Sequence, residues 1–343
     1  MTERIPAIFG ITGTELSDTE RDFFKEAHPA GYILFARNIE DRDQVRALTD
    51  SLRSLSGLDG LPILVDQEGG RVARLASPPW PSYPTAAYLS ATYPTDFVKT
   101  LECVELNYEA LALDLAEIGI TVDCAPVLDL RLPGAHDIIG DRAFSEKPEV
   151  VSELGAAVLR GLEAGGVAGV IKHIPGHGRA LLDSHKALPR VNASELELLA
   201  DAQPFKALAS QALMAMTAHI VYEAWDPDSC ATHSPKVVQD IIRTHIGFDG
   251  LLMSDDLDMK ALEGPIPTLG SSAIAAGCDV ILNCWAKMDD MQSLAEHLPT
   301  LSGTALQRWQ RVVHTLRPSV GTAALRARQQ TLAARRDALL SHR

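Results

Sequence analysis

Within fourteen consecutive positions, from Lys172 to His185, the chain carries three histidines, a lysine and an aspartate. Lys172-His173-Ile174-Pro175-Gly176-His177-Gly178 comes first and Asp183-Ser184-His185 follows. Pro175, Gly176 and Gly178 interrupt any helix there. The stretch therefore reads as a loop dense in ionisable groups, directly after the apolar run 167–171. Asp183 and His185 stand two apart, a spacing that in an extended loop sets both side chains on one side. A carboxylate beside an imidazole fixes its tautomer and supports the imidazolium form. His185 is thus a candidate general acid/base near neutral pH.

Two more clusters call for chemistry. Ser254-Asp255-Asp256 ends an apolar run, with Asp258 close by. A carboxylate there can be a nucleophile, a base or a metal ligand. Adjacent strand residues face opposite ways, so one of Asp255 and Asp256 faces inward, and periodicity alone does not say which. In Asp66-Gln67-Glu68-Gly69-Gly70-Arg71-Val72-Ala73-Arg74, the aspartate can accept hydrogen bonds from two neighbouring hydroxyls, and an arginine can position an oxygen-rich ligand. Arg142 offers a further cation. Carboxylate, lysine, arginine and histidine around one mouth suit a polyhydroxylated ligand such as a sugar. A metal-dependent hydrolase built on His173, His177 and the Asp255 cluster is the competing reading. The zinc-like i, i+4 spacing of the two histidines works only on a helix, which Pro175-Gly176 breaks. The acidic run lacks a phosphate-binding loop. No metal and no cofactor is expected.

Short apolar runs, each followed by a helical pattern, must position these groups. Candidate strands lie at 7–11, 31–35, 62–66, 120–127, 167–172, 213–219, 250–254 and 279–283. Helical patterns lie between them, among others at 98–117, 148–164, 195–209 and 235–245, with Asn192-Ala193-Ser194-Glu195 as a capping sequence. Strands alternating with helices imply a parallel sheet. Eight such units imply an α/β fold, a single-domain (β/α)8 TIM barrel, with a doubly wound open sheet as the alternative. No GxGxxG follows a strand, so the dinucleotide fingerprint is missing. Polar residues collect at the C-terminal ends of six strands: Asp66 to Glu68, Asp129, Lys172-His173, His219, Ser254 to Asp256, and Asn283-Cys284. In a barrel these ends share one face, where active sites are built.

Composition bounds the rest. The chain has 343 residues, 46% hydrophobic and 22% charged, with a net charge of −14, which disfavours general nucleic-acid binding. No secretory leader pattern and no run long enough to span a membrane is seen. Five cysteines without a CxxC read as buried free thiols in a reducing cytoplasm. The barrel is expected over 1–300 and a helical extension over 301–343. Segment 303–343 carries eight arginines (Arg308, Arg311, Arg317, Arg326, Arg328, Arg335, Arg336 and Arg343) against one acid, Asp337. It reads as a solvated closing helix rather than an arm for an anionic partner. With no apolar stripe left outside the core elements, a monomer is expected.

The motifs Val-Asp-Gln-Glu-Gly-Gly-Arg-Val, Lys-His-Ile-Pro-Gly-His-Gly, Asp-Ser-His and Phe-Asp-Gly-Leu-Leu-Met-Ser-Asp-Asp-Leu resemble those of family 3 glycoside hydrolases. They are closest to its bacterial β-N-acetylglucosaminidases of cell-wall recycling. The likeness runs in order from Phe9 to Cys284. It implies Asp255 as nucleophile and His185 as acid/base, oriented by Asp183. It also implies Asp66, Arg74, Arg142, Lys172 and His173 as binders of the N-acetylglucosamine unit. Asp256 is left as a structural neighbour. The implied reaction is retaining hydrolysis of terminal β-linked N-acetylglucosamine, released from the anhydro-muramyl partner of peptidoglycan turnover products. Phosphorolysis on the same scaffold and non-catalytic sugar binding are the other readings. Larger family members carry a second domain with a glutamate acid/base, which this chain is too short to hold, so the proton donor must come from the barrel. Retaining glycosidases generally use two carboxylates roughly 5 Å apart, and a histidine in place of one departs from that pattern. Ile174 stands where the family usually has phenylalanine. The 263–271 stretch, with Pro265 and Pro267, is short for the link between strands seven and eight.

Overall fold

A computed structural model describes residues 3–91, 93, 95–134, 136–318 and 323–341. Arg343 of the basic segment lies outside the described residues. Eight strands of the described residues close into a barrel: β1 (Ile5–Gly10), β2 (Pro29–Leu34), β3 (Ile63–Val65), β4 (Val122–Asp123), β5 (Ala168–Ile174), β6 (Met214–Thr217), β7 (Leu251–Asp256) and β8 (Val280–Asn283). Every neighbouring pair is parallel, and β8 returns to β1 through Ala7 opposite Ile281. The barrel, not the open sheet, is therefore the fold.

Two-residue alternation along the strands divides the core. Ile8, Ile33, Leu64, Val122, Val170 and Met253 belong to a cluster that fills the barrel. Their neighbours Ala7, Phe9, Leu34, Val65, Ile171 and Leu252 join the larger cluster under the helices. The helix starts obey their caps. Ser17 and Glu20 form a capping box for Asp18–Ala27, and Ser194 and Glu197 form one for Glu195–Asp201.

The elements differ from expectation in three places. The single helix expected at 195–209 is two, Glu195–Asp201 and Gln203–Leu208, because Pro204 has no N–H to continue the ladder. The 235–245 pattern winds as a π-helix over Val237–His245, closed by Ile246 N–H donating to Ile241. Val237, Val238, Ile241 and Ile242 are buried, an apolar stripe that fits a helix of either pitch. The run 120–127 pairs as a strand only at Val122–Asp123, with a single bridge from Val127 to Lys172, since Pro126 offers no donor.

The helix Gly303–Thr315 plugs the barrel's N-terminal end. Its Trp309 joins the inner cluster, and the indole donates to the Ala30 carbonyl at 2.8 Å. The last helix, Ala323–Ser341, packs along Phe97–Glu117. Its arginines pair with acids of that helix: Arg326 with Glu117, Arg328 with Glu109, and Arg335 with Glu102. All five cysteines are free and buried. No helix among the described residues is long and apolar enough to cross a membrane.

Candidate active site

The C-terminal ends of the strands surround a cavity of about 270 Å³. Asp66, Arg74, Arg142, Lys172, His173, His185 and Asp255 all line it. Asp183 stands behind His185. The eight residues singled out from the sequence thus meet at one mouth.

Asp66 follows β3, and its carboxylate receives Lys172 Nζ at 2.9 Å and Arg74 Nη2 at 3.1 Å. Burial would raise its pKa, but the two cations outweigh burial and hold it well below the usual carboxylate range. Glu68, two residues on, is the group that sequence reasoning missed. It takes Arg142 in a fork, with both contacts at 2.8 Å, and Lys172 at 2.7 Å. Burial opposes its ionisation too, yet Arg142 and then Lys172 pull its pKa down to about 2. Lys172, buried between the two carboxylates, is held protonated despite its own desolvation. The i, i+2 spacing of Asp66 and Glu68 is the signal that places both on one face. Gly69 and Gly70 turn the ribbon that carries them, with φ of 97° and 59°. A Cβ on Gly70 would lie 2.1 Å from Thr85 Cγ2, so the paired glycines are required there.

Asp129, fully buried, organises the start of the histidine loop. It accepts from His173 Nδ1 at 2.7 Å, from His173 N at 3.2 Å and from His177 N at 2.6 Å. Burial raises its pKa, but His173 and then His177 together more than offset this, and the net shift is downward. The two histidine rings meet edge to face, 5.5 Å between centroids. His177 is pushed down to about 4 by burial and then by His173, so it is neutral at pH 7. The pair therefore converges on a carboxylate. Among the described residues, no group of three or more His, Cys, Asp or Glu is disposed to hold a metal ion.

Asp183 Oδ1 accepts both the backbone N–H and Nδ1 of His185, each at 2.9 Å. Burial works against ionisation of Asp183, but the His185 contacts lower its pKa overall. His185 is largely exposed, as are most of its neighbours in 181–188. Ser184 is the one buried residue of that stretch. Its Oγ lies 3.3 Å from His177 Nε2, and its carbonyl accepts from Ala261 N at 3.1 Å.

On β7, Leu251 and Met253 belong to the inner cluster and Leu252 to the outer. Asp255 and Asp256 both line the cavity, and their partners distinguish them. Asp255 is half-buried at the cavity floor; desolvation raises its pKa, but His219 and His173 outweigh it and the net shift is downward, and the Asp256 N–H donates to it at 2.8 Å. It is an anion at neutral pH. Asp256 turns instead to β8, accepting from Cys284 N at 3.0 Å and Asp258 N at 3.2 Å. Burial and then Asp258 push it up to about 7. His219 is a strut, not a cavity group. It sits between Thr232 Oγ1 at 2.7 Å and the Asp256 carbonyl at 3.1 Å, which fixes the Nε2–H tautomer.

A carboxylate, a carboxylate-oriented imidazole at the rim and a wall of paired charges can together attack, protonate and orient a hydroxylated substrate. Comparison with known proteins identifies the family. Residues 4–317 match the glycosyl hydrolase family 3 N terminal domain. A protein of Alkalilimnicola ehrlichii named beta-hexosaminidase is 38% identical over 298 residues, covering 86% of this chain and 84% of its own. The structure of NagZ from Neisseria gonorrhoeae in complex with N-trifluoroacetyl-D-glucosamine superposes with a TM-score of 0.87 at 30% identity, covering 97% of this chain and 98% of that one. A second structure of that protein, in complex with zinc ion, superposes with a TM-score of 0.86 at 30% identity, covering 99% and 98%.

Proposed function

The chain belongs to glycosyl hydrolase family 3, and from that premise we propose that it is a retaining exo-β-N-acetylglucosaminidase. The observation that carries the reading is the convergence of Asp255, His185 and the Asp66–Lys172–Glu68–Arg142 charge network on one cavity. Asp66, Arg74, Arg142, Lys172 and His173 hold the hydroxyls of a terminal N-acetylglucosamine. Asp255 attacks the anomeric carbon, and the bond to the leaving oxygen breaks as His185 protonates that oxygen. Asp183 stabilises the imidazolium before transfer and orients the ring after it. Water then attacks the glycosyl-enzyme, gives its proton to His185 and releases Asp255. No cofactor takes part. The natural substrate of this reading is a disaccharide-peptide from peptidoglycan turnover, hydrolysed in the cytoplasm by a monomer.

The test is release of the aryl alcohol from an aryl β-N-acetylglucosaminide and from the β-glucoside, with and without chelator. Turnover of the N-acetyl substrate alone, resistant to chelator, is expected. Asp255→Ala is expected to lower the rate at least about 10³-fold with its melting temperature kept. Chelator-sensitive turnover would return the metal-dependent reading, and full activity in Asp255→Ala would sink the nucleophile. Adding phosphate separates hydrolysis, which yields the free sugar, from phosphorolysis, which yields the sugar 1-phosphate.

A further inference from the structure

Three of the four tryptophans, Trp80, Trp225 and Trp309, are at most 3% exposed, whereas Trp285 is 62% exposed. Trp285 sits just past β8, beside Cys284, which lines the cavity. The loop that carries it is held in place. Asp258, almost fully buried, accepts from Asn283 Nδ2 at 2.7 Å, from Lys287 Nζ at 3.1 Å and from Trp285 N at 3.4 Å. Ala286 takes φ of 56°, the left-handed region that alanine seldom adopts. A strained, anchored loop that displays a bare indole at a cavity rim asks for an occupant.

The position selects it. The charged wall that would hold sugar hydroxyls lies at the ends of β3 to β5, and Asp255 lies on β7. In the proposed reaction the leaving oxygen departs on the side away from Asp255 and towards His185, so the leaving group passes the rim of the mouth beside the His185 loop. The turn 257–262 forms that rim. Asp258 ties it to the Trp285 loop, and Ala261 ties it to Ser184, next to His185. Among the described residues, seven large apolar side chains are exposed, and three of them, Trp285, Leu181 and Leu182, belong to the two loops joined at this turn.

We infer that Trp285 is a stacking platform for the first ring of the leaving group, a binding subsite for a second pyranose whose apolar face lies on the indole. The inference rests on the proposed glycosidase reading. It is tested on the full-length protein with two substrates, the β-N-acetylglucosaminyl fluoride, which has no leaving ring, and the disaccharide of two β-1,4-linked N-acetylglucosamines. In Trp285→Ala the ratio of kcat/KM for the disaccharide to that for the fluoride is expected to fall about five- to tenfold, and Trp285→Phe to recover most of it. In Asp255→Ala protein, the disaccharide is expected to shield the one exposed tryptophan from iodide quenching, and free N-acetylglucosamine to leave it quenchable. A parent enzyme active on both substrates with an unchanged ratio in Trp285→Ala overturns the platform alone. A parent active on neither overturns the glycosidase reading and the platform with it.

Discussion

At the residue scale the site is governed by how buried charges are compensated. Glu68 neutralises a partly exposed arginine and a buried lysine at once. Removing its charge leaves Lys172 paired with Asp66 alone and takes from Arg142 the carboxylate it pairs with, and breaking such a network costs about 3–5 kcal/mol. Glu68→Gln is therefore expected to lower the unfolding free energy by roughly that amount in urea titration and to raise KM more than it lowers kcat, since Arg142 and Lys172 lose their aim. Unchanged stability would mean that Asp66 suffices. Asp256 poses the opposite case. Its unfolded pKa is about 3.9, and its folded pKa is raised to about 7. Between those values the folded state binds more protons than the unfolded, so the contribution is full below pH 4 and is lost as the pH rises to 7. Asparagine keeps the acceptor for Cys284 and Asp258 N–H but cannot ionise. The melting temperature of Asp256→Asn minus that of the parent is expected to grow from pH 4 to pH 7, reaching at most about 4 kcal/mol in free energy. A pH-independent difference would refute the buried, protonated form.

At the element scale the acid/base depends on one loop with one anchor. Ser184 is gripped by His177 and by Ala261, and Asp183 and His185 flank it. A leaving group that departs readily needs no proton, whereas a poor one does. Ser184→Ala is expected to slow poorly activated substrates about tenfold and dinitrophenyl glycosides little. Ser184→Thr should retain the rate, and His185→Ala should show the same leaving-group bias more strongly, at about 10²–10⁴-fold. Equal losses on both substrate types would assign Ser184 to general stability. This anchor was not legible in the sequence. Asp183-Ser184-His185 announced a carboxylate–imidazole pair, but the partners of Ser184 come from positions 177 and 261, which only the closed barrel brings together. The strands were legible because their apolar runs end in polar residues, and Asp66, Lys172 and Asp255 sit at those ends. His219 shares that position yet is held by Thr232, on the 3-10 turn Ala231–His233, and by the Asp256 carbonyl, partners that only the fold brings to it. Pitch and breaks of the helices were less legible, as the π-wound 237–245 segment and the interruption before Pro204 show.

At the scale of the whole molecule, the arginine-rich segment read as a solvated closing helix is a strap. Glu102, Glu109 and Glu117 on the Phe97–Glu117 helix meet Arg335, Arg328 and Arg326, and these arginines are half or more exposed. Exposed pairs of this kind contribute about 0–1 kcal/mol each and weaken with salt. Arg336 differs. It is buried, its guanidinium lies 5.6 Å from the Tyr83 ring centroid, and it donates to Asn107 at 3.0 Å. Gln329 donates to the Tyr83 hydroxyl at 3.0 Å, and that hydroxyl donates to Asp114 at 2.6 Å. The Tyr83 carbonyl in turn accepts the Gly70 N–H at 2.8 Å, in the turn of the ribbon that carries Glu68 and leads to Arg74. The last helix thus supports the sugar-binding wall through one tyrosine. Arg335→Ala is expected to change the unfolding free energy by less than about 0.5 kcal/mol. Arg336→Ala is expected to lose about 2 kcal/mol through a charge-assisted hydrogen bond and buried stem. If the support reaches the site, Arg336→Ala also raises KM a few-fold while kcat holds, and Arg335→Ala does neither. Equal effects of the two variants on stability and KM would reduce the strap to a surface charge match with no hold on the active site.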